Sequence, residues 1–394
     1  MRSYILPYTL LAGCLLILLS ACTNEAPVPT TTTEVISFSA YTSQPLSQTR
    51  ANDITAIPDG GSFGVYAIYH NNSTWAEEYD TYSALGSVAL NTLLVPNFMK
   101  NQQVSYDGDN NAYIYSPLKY WPNTSTDKLS FMAYYPYSEG TDDRNRLGFS
   151  TGFLNGLPYI AATVKKDDVT NTTKDQVDIL MSDMLADLPD GTMAVTPGAP
   201  DSREGLTIND RVHFYFRHAL TKVTFCFIVQ PDIREDVANL TVNSINITNI
   251  YNNANLIPSY DPSTKETTFA WEGHTIDHKD NYTFHPNESQ LMMPQTLRAD
   301  ADLTVSYTLT LKSYGTSYEY DASGKPVETP TYTYSRNATI ALNTLCIKDT
   351  TTPVTAWQAN THYIYTFRIG AKGIAFDAQV VDWGKNEEVV IPIE

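Results

Sequence analysis

Hydrophobic and polar positions alternate along most of this chain. Ile36, Phe38 and Ala40 share one side and Ser37, Ser39 and Tyr41 the other, the period-2 signature of a half-buried strand. A polar stretch, 42–52, follows, and the pattern resumes at Phe63-Gly64-Val65-Tyr66-Ala67-Ile68-Tyr69. Beyond it the pattern predicts strands over 111–116, 129–135, 175–182, 212–217, 221–229, 241–250, 267–271, 289–293, 303–313, 331–341, 361–369, 374–381 and 388–393. No segment longer than about 12 residues keeps a 3.6-residue period without breakers, and short helices are expected within 76–86 and 182–187. Many short strands rich in Val, Ile, Thr, Tyr and Phe, parted by Gly, Pro and Asn turns, point to an all-β architecture of sandwiches or barrels.

The 394 residues suit two domains of about 150 residues each. The stretch 187–210 is rich in Pro, Gly and Asp and reads as a linker, so the expected bodies are 51–217 and 218–394.

The N-terminus carries a different signal. Arg2 precedes the apolar run Leu10-Leu11-Ala12-Gly13-Cys14-Leu15-Leu16-Ile17-Leu18-Leu19, which ends in Ser20-Ala21-Cys22. Residues 1–21 therefore read as a signal peptide rather than a membrane span. Leu19-Ser20-Ala21-Cys22 resembles the bacterial lipoprotein box, in which the Cys thiol, here that of Cys22, is acylated and becomes the first residue. Acyl chains such as palmitate bind a bilayer with about 0.8 kcal/mol per buried CH₂, so two or three of them anchor stably. Residues 23–33 form a polar spacer that spans about 35 Å when extended.

Charge narrows the choice of partners. There are 25 Lys and Arg against 43 Asp and Glu, a net charge of −18. Such a surface repels nucleic acid and anionic lipid headgroups, so no nucleic-acid partner is expected. Cys14 leaves with the signal peptide and Cys22 takes lipid. Cys226 and Cys346 remain, and both one disulfide and two free thiols stay open for them. Two Cys are too few for a zinc or redox constellation.

Candidate chemistry is thin. Gly148-Phe149-Ser150-Thr151-Gly152 matches G-x-S-x-G, but Asn155-Gly156-Leu157-Pro158 cannot supply the helix that a nucleophile elbow requires. His213 and His218, five apart, face opposite sides of a continuous strand, and His218 shares its side with Phe214, Phe216 and Leu220 as a hydrogen-bonded core histidine would. Asp107-Gly108-Asp109-Asn110-Asn111 starts like a calcium loop, yet Ala112 and Leu118 stand where Gly and Glu are needed, so a hairpin turn is expected. No catalytic residue, metal or cofactor is expected, and the chain does not read as an enzyme.

Several phrases, in order, carry a family resemblance: Gly61-Ser62-Phe63-Gly64-Val65-Tyr66-Ala67; Tyr120-Trp121-Pro122 with Leu129-Ser130-Phe131-Met132-Ala133-Tyr134-Tyr135-Pro136; Phe214-Tyr215-Phe216-Arg217-His218-Ala219-Leu220-Thr221-Lys222-Val223; Leu291-Met292-Met293-Pro294-Gln295; Trp357-Gln358-Ala359-Asn360 with Tyr363-Ile364-Tyr365; and Val380-Val381-Asp382-Trp383. With the lipoprotein box, these resemble the Bacteroidia-type fimbrillins, lipoprotein-precursor subunits of type V pili, from residue 19 to residue 394. The resemblance implies two transthyretin-like β-sandwich domains in tandem. It also implies assembly by donor-strand exchange after an arginine-specific protease trims the N-terminus. The implied location is the outer membrane as a lipoprotein precursor and a cell-surface fimbrium when mature. The implied partners are other pilus subunits, the protease and a host protein or glycan receptor.

The residues themselves accommodate such a switch. Arg50 lies in the polar stretch between lipid anchor and body, where exposed chain is readily cut, and every other arginine lies in the signal peptide or the expected body. Cutting Arg50-Ala51 would remove the lipid on Cys22 together with the strand bearing Ile36, Phe38 and Ala40. An apolar groove with open sheet edges would remain, a template for another strand. The C-terminal segment is the natural donor. Ile374, Phe376, Ala378 and Val380 alternate, Trp383-Gly384-Lys385-Asn386 can turn, and Val389, Ile391 and Ile393 then share one face. Pro392 lacks an N–H and suits an edge or exchanging strand. The residues alone allow equally a permanent first strand and a permanent last one; the resemblance favours exchange. Two alternatives stand beside a shaft subunit: an anchored or tip adhesin of the same pilus, and a glycan-binding surface lipoprotein using Trp75, Trp121, Trp271, Trp357 or Trp383 as platforms.

Overall fold

A computed structural model of the chain describes residues 35–42, 57–124, 126–139, 148–165, 176–188, 211–234, 237–276, 282–312, 322–323, 331–370 and 373–383. Strands dominate it. In chain order they are β1 Ser37–Thr42, β2 Ser62–His70, β3 Met99–Asp107, β4 Ala112–Ile114, β5 Lys128–Tyr135, β6 Phe149–Leu154, β7 Leu157–Thr163, β8 Leu180–Ser182, β9 Leu185–Leu188, β10 Arg211–His218 and β11 Thr221–Val229. Then come β12 Val237–Ile247, β13 Asn253–Asp261, β14 Glu266–Thr275, β15 Tyr282–Phe284, β16 Ser289–Met292, β17 Gln295–Thr296, β18 Asp302–Lys312, β19 Thr331–Ala341, β20 Ala356–Trp357, β21 Thr361–Gly370 and β22 Gly373–Asp382. The all-β class expected from the alternation is what forms.

The largest sheet runs β1-β10-β8-β5-β2-β3-β4, with β9 also on β5. It curls until its two ends meet, and the Tyr113 hydroxyl at the β4 end donates to the Ala40 carbonyl of β1 (3.4 Å). The enclosed core holds Phe38, Phe63, Val65, Phe131, Phe214 and Phe216, all essentially without solvent contact. The outer face of this sheet packs, through Tyr66, Met132 and Tyr134, on a second sheet ordered β14-β13-β7-β6. Two further sheets, β16-β11-β21-β22 and β15-β12-β18-β19, share the core built around Phe225, Val305, Tyr365 and Phe367.

Residue 217, where the sequence places its domain boundary, lies at the end of β10. The β13–β14 hairpin comes from beyond that point and pairs with β7 from before it, Leu256 opposite Ile160. One sheet therefore takes strands from both sides of the boundary.

Helices are short. The expected 76–86 helix forms as α1, Trp75–Ala84, opened by a capping box: the Glu77 N–H donates to the Thr74 hydroxyl (3.2 Å) and the Thr74 N–H to the Glu77 carboxylate (3.0 Å). The turns α2 (Ser87–Leu93) and α3 (Pro231–Arg234) join it. The helix expected within 182–187 does not form. Leu185 and Leu188 instead pair with Phe131 and Leu129 of β5, because sheet pairing and core burial outweigh local propensity.

Candidate functional site

The site is β1, extended by Val35 and Ile36 to the whole segment 35–42, and the slot it fills. β1 lies parallel to β10, with Ser37 opposite Arg211 and Thr42 opposite Phe216. It has no sequence neighbour in the sheet; Ser39 and its partner His213 are 174 residues apart. On its other side the segment 113–120 clasps it. The Ile36 N–H donates to the Lys119 carbonyl (2.9 Å), Val35 bridges Tyr120, and the Tyr115 hydroxyl donates to the Ile36 carbonyl (2.6 Å). Burial pushes the Tyr115 pKa up and that of Tyr113 to about 12, so both phenols stay protonated donors at neutral pH.

The alternation read from sequence sets which side chains enter the core. Ile36 and Phe38 are 0% and 1% exposed, and Ala40 packs half-buried on the same cluster. The Phe38 ring stacks on Phe214 (centroids 5.7 Å apart), tilts on Tyr115 (5.3 Å) and meets the edge of Phe131 (6.2 Å). Burying each of Ile36 and Phe38 is worth about 1.5–3 kcal/mol. On the opposite face the Ser39 hydroxyl hydrogen-bonds His213 Nδ1, and Tyr41 stacks on the same imidazole at 6.0 Å. β1 is thus wedged between a long-range partner strand and a loop clasp, with no hairpin turn tying it to either.

The tail's point of departure is equally fixed. Trp383, the last described residue, is 3% exposed, and its N–H donates to the Asn360 carbonyl (2.9 Å). Its indole lies on the His218 imidazole, whose Nδ1 meets both oxygens of buried Asp178 at 2.9 and 3.1 Å. Lys222 Nζ stands 5.9 Å from the same indole. His218 terminates β10, so the strand that pairs with β1 ends against the base of the tail.

Cys22, Arg50, Ala51, Val389, Ile391 and Ile393 lie outside the described residues. The sequence did not single out Tyr113, Tyr115, Lys119 and His213 as neighbours of β1. The alternation of Tyr113 and Tyr115 was the available signal. Cys226 and Cys346 are free thiols, and burial pushes the Cys226 pKa up to about 11. Ser150 sits in regular strand β6 opposite Ala161, without an elbow. Asp107 accepts from the Asn110 N–H (3.2 Å) inside the β3–β4 turn. Among the described residues no three His, Cys, Asp or Glu side chains gather as metal ligands. Trp75, Trp121, Trp357 and Trp383 are buried in the core, and the Trp271 indole donates inward to the Ala219 carbonyl (2.8 Å), so these rings do not form exposed platforms.

A family model described as fimbrillin-like matches residues 49–383. Among solved structures, the chain is similar to a fimbrial protein from Bacteroides vulgatus (17% identity, 89% of this chain and 99% of that one, TM-score 0.55). It is also similar to a cell adhesion protein from Bacteroides uniformis (17% identity, 89% and 99%, TM-score 0.45). A third is a fimbrilin from Porphyromonas gingivalis (10% identity, 89% and 98%, TM-score 0.36). No curated protein matches the chain.

Proposed function

The chain belongs to the fimbrillin-like family, and from that premise we propose that it is a structural subunit of a cell-surface fimbrium supporting adhesion. In this reading it is exported, acylated at Cys22 and held at the outer membrane as a precursor. An arginine-specific protease then cuts Arg50-Ala51, β1 leaves, and Val389, Ile391 and Ile393 of a neighbouring subunit fill the vacated slot. Head-to-tail contacts of this kind do not close on themselves, so they grow a filament. Its function is mechanical rather than catalytic.

One observation carries the proposal: β1 buries Ile36 and Phe38 in the core while pairing only with residues distant in sequence. A permanent first strand needs no such independence, whereas a replaceable one does. The tail offers apolar residues at the same two-residue spacing, and strand addition to an open edge supplies both backbone bonds and side-chain pockets. N-terminal sequencing of subunits taken from assembled filaments tests the reading. The expected sequence is Ala51-Asn52-Asp53; a start at Cys22 rejects it.

A further inference from the structure

We propose that the incoming tail lies antiparallel to β10, reversed with respect to the β1 it replaces, with Ile393, Ile391 and Val389 in the places of Ile36, Phe38 and Ala40. The inference rests on the strand-exchange reading above and specifies its partner's orientation.

The argument starts from backbone direction. In an extended strand each residue turns its N–H and C=O to one side, and the next residue turns them to the other. In β1 the even residues turn away from β10. The Ile36 N–H reaches the Lys119 carbonyl, and the Ile36 and Ala40 carbonyls accept from Tyr115 and Tyr113. The odd residues Ser37, Ser39 and Tyr41 therefore supply the ladder to β10. Their side chains face away from the core, whereas Ile36 and Phe38 face into it.

A tail strand running the same way as β1, with Val389, Ile391 and Ile393 inward, puts Pro392 in the place of Ser39. Its ring nitrogen then faces β10 at mid-strand and leaves a ladder bond unmade. Reversing the strand exchanges the two sides. The inward residues Val389, Ile391 and Ile393, each with an N–H, now bond to β10. Pro392 turns toward the 113–120 clasp, where Tyr113 and Tyr115 offer hydroxyl donors that need only carbonyls. Reversal turns the six-residue parallel pair with β10 into an antiparallel one, slightly more stable per residue, against a single antiparallel bridge, Val35 to Tyr120, that becomes parallel. Glu394 falls at the place of Val35, opposite Tyr120.

Paired cysteines read the direction in filaments assembled from cleaved subunits, in chains whose Cys226 and Cys346 are changed to Ala. Reversed entry sets Glu388 opposite Tyr215; entry in the direction of β1 sets Glu394 there. We expect Tyr215→Cys with Glu388→Cys to form intersubunit disulfide at least tenfold more than Tyr215→Cys with Glu394→Cys, and the opposite ratio overturns the proposal. Pro392→Ala provides a reading that leaves β10 untouched. Reversed entry predicts a change in filament dissociation rate below twofold. Entry in the direction of β1 predicts that a restored ladder bond slows dissociation, by about 2- to 12-fold for a typical hydrogen bond, and that result also overturns the proposal. Ile391→Asp separates this inference from its premise: if it leaves polymerisation intact, strand exchange itself fails and the orientation with it.

Discussion

The indole of Trp383 lies flat on the imidazole of His218, ring centroids 4.1 Å apart and planes 4° from parallel. β10 ends at His218, so a tail pulled from outside loads the strand that faces the slot. Trp383→Ala removes this stack and opens a cavity at the junction of the sheets. It should destabilise the chain by about 3–5 kcal/mol, the usual cost of deleting a buried Trp side chain. Urea unfolding of the full chain checks this; a loss below 1 kcal/mol would show that the tail's base is not anchored there.

Phe38 makes the largest apolar contribution of β1. Phe38→Ala in the uncut chain forfeits the ring contacts with Phe214, Tyr115 and Phe131 and should cost about 3–5 kcal/mol. Tyr41→Ala, on the exposed face, should cost less than half as much. Equal losses would mean that β1 is not held by its inward side chains.

Strands are legible in the sequence either by alternation, where their two faces meet different media, or, as in β2 and β5 with both faces buried, by an apolar and aromatic run. β18 shows the alternation most plainly: Leu303, Val305, Tyr307 and Leu309 are buried while their neighbours are half-exposed. β13 escaped notice. Its sequence, Asn253 to Asp261, is polar and contains Pro258, and only pairing with β7 and β14 makes it a strand. The 113–120 clasp was legible only in the alternation of Tyr113 and Tyr115; its backbone bond joins residues 83 positions apart, Ile36 and Lys119, through a carbonyl that any residue would supply. Local alternation encodes burial; it does not encode which distant edge a strand meets.

His362 gives the fold a pH dependence. Burial, with the nearby Lys222 cation adding to it, pushes its pKa down to about 3, and its Nε2 hydrogen-bonds the Thr224 hydroxyl (2.7 Å). Unfolded, it titrates near 6.5. Between these values the unfolded chain binds a proton that the folded chain refuses, so this group's contribution to stability falls as pH drops, by about 1.4 kcal/mol per pH unit. The stability difference between the natural chain and His362→Asn should therefore shrink between pH 6 and pH 4. Urea titrations at several pH values check this, and a constant difference would contradict it.

Arg50→Ala tests the order of events in the proposed assembly. In that proposal, without the cut β1 would keep its slot and acyl chains on Cys22 would keep the chain at the membrane. The variant should accumulate as lipid-labelled monomer, with filaments reduced at least tenfold in electron micrographs. Filaments at normal density would show that strand release does not depend on this bond.

Removal of β1 should leave a folded but weakened chain whose loss is reversible in trans. The side chains of Ile36 and Phe38 are the only β1 groups with at most 1% exposure among the described residues, so the slot is chiefly an apolar pocket lined by Phe131 and Phe214. A chain beginning at Ala51 should unfold at lower urea than the full chain. A synthetic peptide spanning 35–42 should restore the midpoint, since a ligand that binds only the folded state contributes about 2.7 kcal/mol at a hundredfold excess over its Kd. The same peptide carrying Phe38→Asp should restore nothing, because a carboxylate cannot be buried among those rings without a partner. The peptide Val389–Glu394 should act like the natural β1 sequence. If both natural peptides fail while the shortened chain remains folded, the slot closes once emptied, and a replaceable strand cannot be how the subunits join.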